Sequence, residues 1–290
     1  MTKTHIFLAA AFAAGLGASP ALAQSTFREI ETKYLFGFTS GSDIGSEGEK
    51  EVALDTTGRF QKRGGSYQAF KSKLEFEYTP TQFMQLEFGL LGTSHAVRNV
   101  PGVDDRNQTQ FGGLSGELRY LLIGRGPASP FGLAVSVEPE WGRVSGNGSR
   151  ENSFAMETKL MGDVELVENR LYGALNLIYE PELVKDKGSK IFGRESSFGV
   201  SGGLAYRLTP TLTAGGEVGL YRAYEGLFLN KFAGQAVFVG PTLHLQLTKK
   251  TFVSAAWGTQ VAGHAKGDPG HLDLENFSRH RAKLKVAFEF

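Results

Sequence analysis

The chain has 290 residues, with 31 basic and 30 acidic side chains, so its net charge gives no indication of nucleic-acid binding. It contains no cysteine, which excludes disulfides, a cysteine-ligated zinc site and a cysteine nucleophile. Glycine (38 residues) and phenylalanine (22 residues) are abundant, and 21% of the residues are charged, as in a folded chain. The composition therefore predicts a folded protein without nucleic acid as a partner.

The N-terminus carries an export signal. Residues 1–23 read MTKTHIFLAAAFAAGLGASPALA, with Lys3 ahead of an uncharged apolar run over 6–16 and a small-x-small ending at 21–23. The apolar run is shorter than the roughly 20 residues that a transmembrane helix needs. We therefore interpret 1–23 as a secretory signal peptide cleaved before Gln24, rather than as a membrane anchor.

Beyond the signal peptide, apolar and polar side chains alternate with a period of two. In 70–78, Phe, Ser, Leu, Phe and Tyr are interleaved with Lys, Lys, Glu and Glu, and the segments 154–166 and 282–290 show the same alternation. Successive side chains of a strand point to opposite sides, so each segment has one apolar and one charged face. The sequence predicts an all-β protein.

Short turns and longer polar loops alternate along the chain, which is typical of up-and-down hairpins. Short turns recur near residues 80, 127, 168, 210 and 249, roughly 40 residues apart. The predicted strands between turns and loops are 67–79, 83–93, 109–123, 131–141, 153–167, 170–180, 192–208, 211–222, 232–247, 252–262 and 277–290.

One further strand is needed, because single-chain bacterial barrels have an even number of strands. Two alternating segments compete for this place, 27–38 and 49–60. We favour 49–60, which makes 24–48 an N-terminal lead segment and 49–290 a barrel of about twelve strands.

The C-terminus decides between a soluble β-sandwich and a membrane barrel. The chain ends Lys285-Val-Ala-Phe-Glu-Phe290, an alternating strand that finishes on an aromatic residue. In this it resembles Gram-negative outer-membrane β-barrels, whose last strand ends in an aromatic residue that is read by the barrel-assembly machinery. Residues 45–51 and the Glu-Tyr-Thr-Pro turn at 77–80 also resemble a group of small uncharacterised outer-membrane transporters.

The resemblance implies a single closed antiparallel up-and-down transmembrane β-barrel in the outer membrane of a Gram-negative bacterium. It also implies contact with outer-membrane lipids and lipopolysaccharide, and recognition of Phe290 by the assembly machinery. A closed barrel agrees with the physics of the bilayer, because lipid cannot satisfy an open sheet edge. We expect a monomer.

The polar faces of the strands would line the interior of such a barrel. The predicted pore-lining residues are Glu51, Asp55, Lys71, Lys73, Glu87, Glu117, Arg119, Glu138, Glu140, Glu157, Lys159, Glu217, Arg281, Lys283 and Lys285. Two interpretations stay open at this point. The charges either form an ion-pair lattice that fills a narrow barrel or line a water-filled path with a basic strip facing an acidic arc, and twelve strands do not settle the choice.

The catalytic patterns of known outer-membrane enzymes are absent from the sequence. No histidine after residue 23 begins the His-x-Ser arrangement of outer-membrane phospholipases and lipid A deacylases, and the aspartate pairs of omptin-type proteases are missing. A loop rich in possible metal ligands is interpreted as solvated; it contains His264, Asp268, His271, Asp273 and Glu275.

We therefore predict no catalytic residues, no cofactor and no metal site. The predicted function is a channel or transporter for small solutes, with the substrate unknown. A closed structural barrel of the envelope is the alternative, and an outer-membrane hydrolase is a third interpretation.

Overall fold

The computed structural model describes residues 30–126, 129–187 and 192–290, so the predicted signal peptide lies outside the described residues. No helix in these ranges is long and apolar enough to cross a membrane. The regular structure consists of twelve strands. These are β1 (Lys50–Phe60), β2 (Ser66–Thr81), β3 (Met84–Arg98), β4 (Arg106–Ile123), β5 (Phe131–Val144), β6 (Arg150–Val167), β7 (Leu171–Asp186), β8 (Phe192–Arg207), β9 (Leu212–Tyr224), β10 (Phe232–Thr248), β11 (Thr251–Ala265) and β12 (His280–Glu289).

The strands form one closed barrel. Each strand pairs antiparallel with its neighbour in sequence, and β1 closes on β12 with Asp55 opposite Lys285 and Val52 opposite Phe288. Closure leaves no unpaired sheet edge for the membrane to solvate. The predicted all-β class, up-and-down topology and strand number are confirmed.

The outer surface of the barrel is apolar, as a membrane protein requires. Leu54, Leu74 and Leu90 stand side by side on β1, β2 and β3, and 49%, 47% and 43% of each side chain is exposed. The next residues along two of these strands, Asp55 and Glu75, are buried in the interior. The charged face therefore points inward and the apolar face outward, the arrangement expected in lipid.

Aromatic side chains form two belts on the outside, as at the two interfaces of a membrane barrel. The belt near the short turns contains Tyr78, Phe83, Tyr120, Phe131, Tyr206, Phe288 and Phe290, and the belt near the long loops contains Phe70, Phe111, Trp141, Phe154 and Trp257. On β2 the belts are eight residues apart, from Tyr78 to Phe70. At about 3.3 Å per residue and a tilt of about 40°, that spacing is about 20 Å of barrel height.

The short turns lie at the same end of the barrel as the beginning of β1 and the end of β12. Phe290 N donates to Lys50 O over 2.9 Å, and the turn at 81–84 joins β2 to β3 beside them. We name this end the periplasmic end. The opposite end carries longer loops, and several strands extend further into it than the sequence predicts, because their ladders continue beyond the aromatic belt. For example, β5 ends at Val144 rather than at 141.

Residues 30–48 form no strand, so the described residues 30–38 of the alternative first strand at 27–38 are not part of the barrel wall. The first wall strand is β1, at the position that the sequence favours. We call residues 30–45 the inner segment, because they lie inside the barrel. Leu35 and Phe36 at its centre are 1% and 3% exposed.

Candidate functional site in the barrel interior

The fifteen predicted interior residues all face inward. Twelve of them line a cavity of about 320 Å³, and these are Asp55, Lys71, Lys73, Glu87, Glu117, Arg119, Glu138, Glu140, Glu157, Lys159, Lys283 and Lys285. The remaining three contact the inner segment instead. Glu51 accepts a hydrogen bond from Tyr34, Glu217 binds backbone N–H groups, and Arg281 stacks on Phe38.

The cavity has charged walls and a floor built by the inner segment. Tyr34, Phe36 and Thr39 of that segment line its lower side. Charged side chains of both signs line the cavity. The acidic ones are Asp55, Glu75, Glu87, Glu117, Glu138, Glu140, Glu157 and Glu180, and the basic ones are Lys33, Arg59, Lys71, Lys73, Arg119, Lys159, Lys283 and Lys285. The two signs are interspersed, since Asp55 on β1 and Glu75 on β2 lie on the same side as Lys71 and Lys283, and Lys159 lies on β6 with Glu157.

Below this arrangement, ion pairs cross the middle of the barrel. Lys73 Nζ lies 2.6 Å from Glu87, 2.9 Å from Glu138 and 3.2 Å from Glu75. Lys285 Nζ lies 2.5 Å from the other oxygen of Glu75. Because these groups are held away from bulk water, their mutual pairing stabilises charges that would otherwise be costly to bury.

The charged side chains at the junction of β1 and β12 make different kinds of contact. Lys283, which lies opposite Thr57, reaches diagonally across the strand pair to Asp55 at 3.1 Å. Arg281 instead covers three aromatic rings, with its guanidinium carbon 3.8 Å from the ring centre of Phe38, 4.6 Å from Tyr221 and 4.5 Å from Phe238. Ion pairs also join residues that line the cavity, as between Lys71 and Glu140 and between Lys159 and Glu157, so the charges around the cavity and in the middle of the barrel form one connected set.

The inner segment is bound through its backbone by side chains of the wall. Glu217 on β9 accepts hydrogen bonds from Phe38 N at 2.9 Å and Thr39 N at 2.8 Å. Asn176 on β7 accepts from Ser40 N and donates to Ser40 O, each over 2.7 Å. Four backbone groups that would otherwise be buried without partners are satisfied in this way.

Side chains of the inner segment complete its attachment. Lys33 forms an ion pair with Glu77, and Tyr34 places its hydroxyl 2.6 Å from Glu77 and 2.9 Å from Glu51. Burial, and then the carboxylates of Glu77 and Glu51, raise the pKa of Tyr34 well above its usual value. The hydroxyl is therefore protonated at neutral pH and serves as a donor. On the other side, Ser254 donates to Tyr34 O over 2.7 Å.

The periplasmic turn between β4 and β5 fastens the beginning and the end of the inner segment together. Arg125 in this turn donates to Ile30 O over 2.9 Å and to the Asp43 carboxylate over 2.6 Å. Its guanidinium lies above the ring of Tyr172, 5.1 Å from the ring centre. One turn residue, whose side chain is only 8% exposed, thus contacts both limbs of the inner segment.

Apolar contacts between the inner segment and the wall are few. Leu35 and Phe36 pack with Tyr172 and Ala205. Tyr34 stacks on Phe252, with 4.7 Å between the ring centres. Most of the attachment is therefore polar.

Two long loops fold over the outer mouth of the barrel. In the β5–β6 loop, Gly146 O accepts from the Tyr67 hydroxyl over 2.6 Å, and Gly148 O accepts from Gln108 over 2.5 Å. In the β11–β12 loop, Gln260 donates to Asp273 O over 3.0 Å. These contacts narrow the entrance to the cavity.

The structure brings acidic side chains together at two places, and the loop of possible metal ligands is not one of them. Among the described residues the two groups are Glu31 with Glu49 and Glu289 and, separately, Glu75 with Glu77 and Glu87. The second group is contacted by Lys73 and Lys285, as described above. In the loop, Asp268 forms an ion pair with Arg63 and Asp273 accepts from Asn276. The loop carboxylates thus have protein partners.

Apart from Glu217, the residues that bind the backbone of the inner segment are not among those predicted from the sequence. Asn176 and Ser254 are polar residues of the inward face and carry no distinguishing pattern. The sequence does carry one signal for the inner segment, which is the apolar character of the inward face near the periplasmic end. Tyr172 and Ala205 lie there and would be in contact with water if the lumen were open. Apolar side chains facing an interior indicate that something packs on them.

Comparison with protein families places the chain. A family model described as a family of unknown function, DUF6662, matches residues 28–290. The chain belongs to this family. A search of curated proteins finds no match.

The fold of this DUF6662 protein is similar to that of solved outer-membrane barrels. The COG4313 outer membrane channel from Pseudomonas putida F1 has 14% identity and a TM-score of 0.59, over 86% of this chain and 98% of that one. The NanC porin has 14% identity and a TM-score of 0.47, over 82% of this chain and 98% of that one. The KdgM porin, solved with disordered oligogalacturonate, has 12% identity and a TM-score of 0.45, over 82% and 99%. At 14% identity the first likeness shows the fold, an outer-membrane β-barrel.

Proposed function

We infer that the protein is an outer-membrane channel for small solutes. The observation that carries the proposal is the charged cavity of about 320 Å³ inside a closed barrel. Burying many charges around empty space is costly unless water or a hydrophilic solute occupies it. A barrel that only reinforced the membrane would be more stable with a filled apolar interior.

The arrangement of the barrel supports passage along its axis. The cavity reaches Arg59 and Lys71, near the long-loop ends of β1 and β2, and the inner segment occupies the periplasmic half below it. The similarly folded Pseudomonas putida protein is an outer membrane channel, which fits the same proposal. Porins and channels are not enzymes, and we propose no catalytic role for this chain.

The same proposal includes the cell location and the partners. Residues 1–23 would direct export and be removed, and Phe290 would be recognised by the barrel-assembly machinery. The outward leucines and aromatic belts would contact outer-membrane lipid and lipopolysaccharide. Apolar side chains cover the lipid-facing surface around the whole circumference of the barrel. Lipid can therefore contact every side of one copy, and we propose a monomer.

Solute entry into liposomes tests the function, with two neighbouring substitutions as a matched pair. Thr57 lines the cavity, whereas Thr56 lies on the opposite face of β1 and pairs with Ser72 outside. Vesicles containing the protein should admit small sugars and exclude large ones. Thr57→Trp should slow entry because the indole fills the cavity, and Thr56→Trp should leave entry unchanged.

Two results would overturn the proposal. In the first, vesicles that contain the folded protein are as impermeable to small sugars as vesicles without it, which would favour the closed structural barrel. The second is equal entry rates for Thr57→Trp and Thr56→Trp, which would place the path elsewhere than in the cavity.

A further inference from the structure

We propose that the inner segment is a detachable gate, which leaves the periplasmic half of the barrel to open the channel and rebinds the same wall side chains to close it. The wall is thus a binding site for an extended peptide, and residues 30–45 are its occupant. The proposal rests on the channel function proposed above.

The way in which the inner segment is attached permits its release. In the described part of the chain, the first backbone–backbone hydrogen bond from the N-terminal region to the wall is that of Gly48 N to Thr79 O, at 2.8 Å. Before that point, wall side chains such as Glu217 and Asn176 make the contacts to the segment backbone. A segment that joined the sheet as a strand would be held by a continuous ladder of backbone hydrogen bonds. These separate side-chain contacts can instead be replaced by hydrogen bonds to water when water fills the lumen.

The fit is nevertheless specific for a chain with this sequence. Gly37 lies so close to β11 that a Cβ atom on it would be 1.9 Å from the Cβ of Ala256. Gly132 on β5 is equally close to the segment, since a Cβ there would be 2.1 Å from the Ser42 hydroxyl. Glycine on each side lets the two backbones approach closely. The wall therefore binds this segment in one position.

The segment has a turn at which it can swing. It joins β1 through 46–49, where Ser46 N binds the Glu49 carboxylate and Gly48 has φ +87°. This turn lies at the periplasmic end and outside the lumen. Movement about it would carry the segment into the periplasm and would leave Glu77, Asp163 and Glu217 lining an open polar passage below the cavity.

Thiol labelling tests the movement without depending on transport. The chain has no cysteine, so a single introduced thiol is unique. Thr39 is 1% exposed. The labelling reagent is a polyethylene-glycol maleimide that is too bulky to enter the closed barrel, so the thiol of Thr39→Cys should react with it only while the inner segment is outside the barrel. Ser46→Cys, in the exposed turn, should react at once in the same full-length protein and serves as the control.

A glycine pair adds a variant that shifts the equilibrium. Gly37→Ala should accelerate labelling of Thr39→Cys, because the methyl group collides with Ala256 in the closed state. Gly92→Ala on β3 is the matched control, because a Cβ at Gly92 meets no atom within 4 Å. Its labelling rate should equal that of the parent.

A reversible lock connects the movement to the channel. Thr39 Oγ1 and Ser201 Oγ lie 3.0 Å apart, so Thr39→Cys with Ser201→Cys should form a disulfide that ties the segment to β8. Ser94 Oγ and Thr109 Oγ1 are also 3.0 Å apart, but they join β3 to β4 outside the lumen. Oxidation should abolish solute entry for the first pair and spare it for the second, and reduction should restore it.

The outcomes separate the gate from the channel. If the protein admits solute although Thr39→Cys is never labelled, the inner segment is not a gate, but the channel function is unaffected. The same conclusion follows if the disulfide between positions 39 and 201 does not reduce solute entry. Labelling of Thr39→Cys in protein that passes no solute would support the detachable segment and overturn the channel function. Labelling together with redox-controlled entry is the result we expect.

Discussion

A charge placed on the outer surface should destabilise the barrel according to its depth in the membrane. Leu74 lies midway between the two aromatic belts, four residues from Tyr78 and four from Phe70 on β2. It is flanked by Leu54 and Leu90, so a substituted side chain finds no polar partner there. Leu74→Arg therefore places a guanidinium near the centre of the bilayer, where the expected cost is about 2–4 kcal/mol.

Leu86→Arg provides the comparison at the interface. Leu86 is also exposed, at 42%, but it pairs with Tyr78 in the periplasmic belt. Arginine at that depth should cost only about 0–1 kcal/mol. The expected difference of about 2–3 kcal/mol corresponds to a factor of about 30 to 140 in the folding equilibrium.

Equilibrium unfolding by urea in lipid vesicles measures these free energies, with the heat-dependent shift in gel mobility reporting the folded fraction. Thr57→Glu tests the inward face, because its carboxylate enters the charged cavity opposite Lys71 and Lys283. We expect a change within about 0.5 kcal/mol, as for an ordinary solvated position. Equal losses for Leu74→Arg and Leu86→Arg, or a loss for Thr57→Glu as large as that for Leu74→Arg, would refute the assigned faces and depth.

Three further predictions concern the charges and the chain end. Lys73→Met should lower the free energy of unfolding by about 3–5 kcal/mol in the same urea assay, because Glu75, Glu87 and Glu138 lose the ammonium group that they share. Lys71→Met removes a more exposed ion pair with Glu140 and should cost at most about 1 kcal/mol. Glu180→Gln should shift the reversal potential toward anion selectivity, because it removes one negative charge from a cavity lined by eight acidic and eight basic side chains, and the shift should shrink between 0.1 and 1 M salt, as the Debye length falls from about 10 Å to about 3 Å; no shift at 0.1 M, or a shift toward cations, would contradict this. Deletion of Phe290 should lower the amount of heat-modifiable barrel in cell membranes, and an unchanged amount would show that the terminal residue is not the assembly signal.

Much of the wall was predictable because lipid and lumen impose opposite chemistries on alternate residues. The charges of β2 at Lys71, Lys73, Glu75 and Glu77 fix the register of that strand, since a shift of one residue would turn them all into lipid. The number of strands follows from the same alternation and from the turns. Strand ends at the outer mouth are less predictable, because beyond the membrane both faces of a strand are polar.

The inner segment was not predictable in the same way. Its alternation at Ile30, Thr32, Tyr34 and Phe36 is equally compatible with an edge of the sheet and with an extended chain inside the lumen. Some of the contacts that place it, such as those of Ser40 with Asn176 and of Thr39 with Glu217, join residues more than 130 positions apart and are made by the backbone on one side. Backbone groups are the same in every residue, so such contacts leave no mark in the sequence.

Planar-bilayer recording of the refolded protein tests whether this barrel is a channel closed by its own N-terminal segment. We expect discrete current steps of one size for the parent and more frequent openings of the same size for Gly37→Ala. A Gly37→Ala protein that is folded and heat-modifiable yet gives no current, or opens no more often than the parent, would show that the inner segment does not gate a channel.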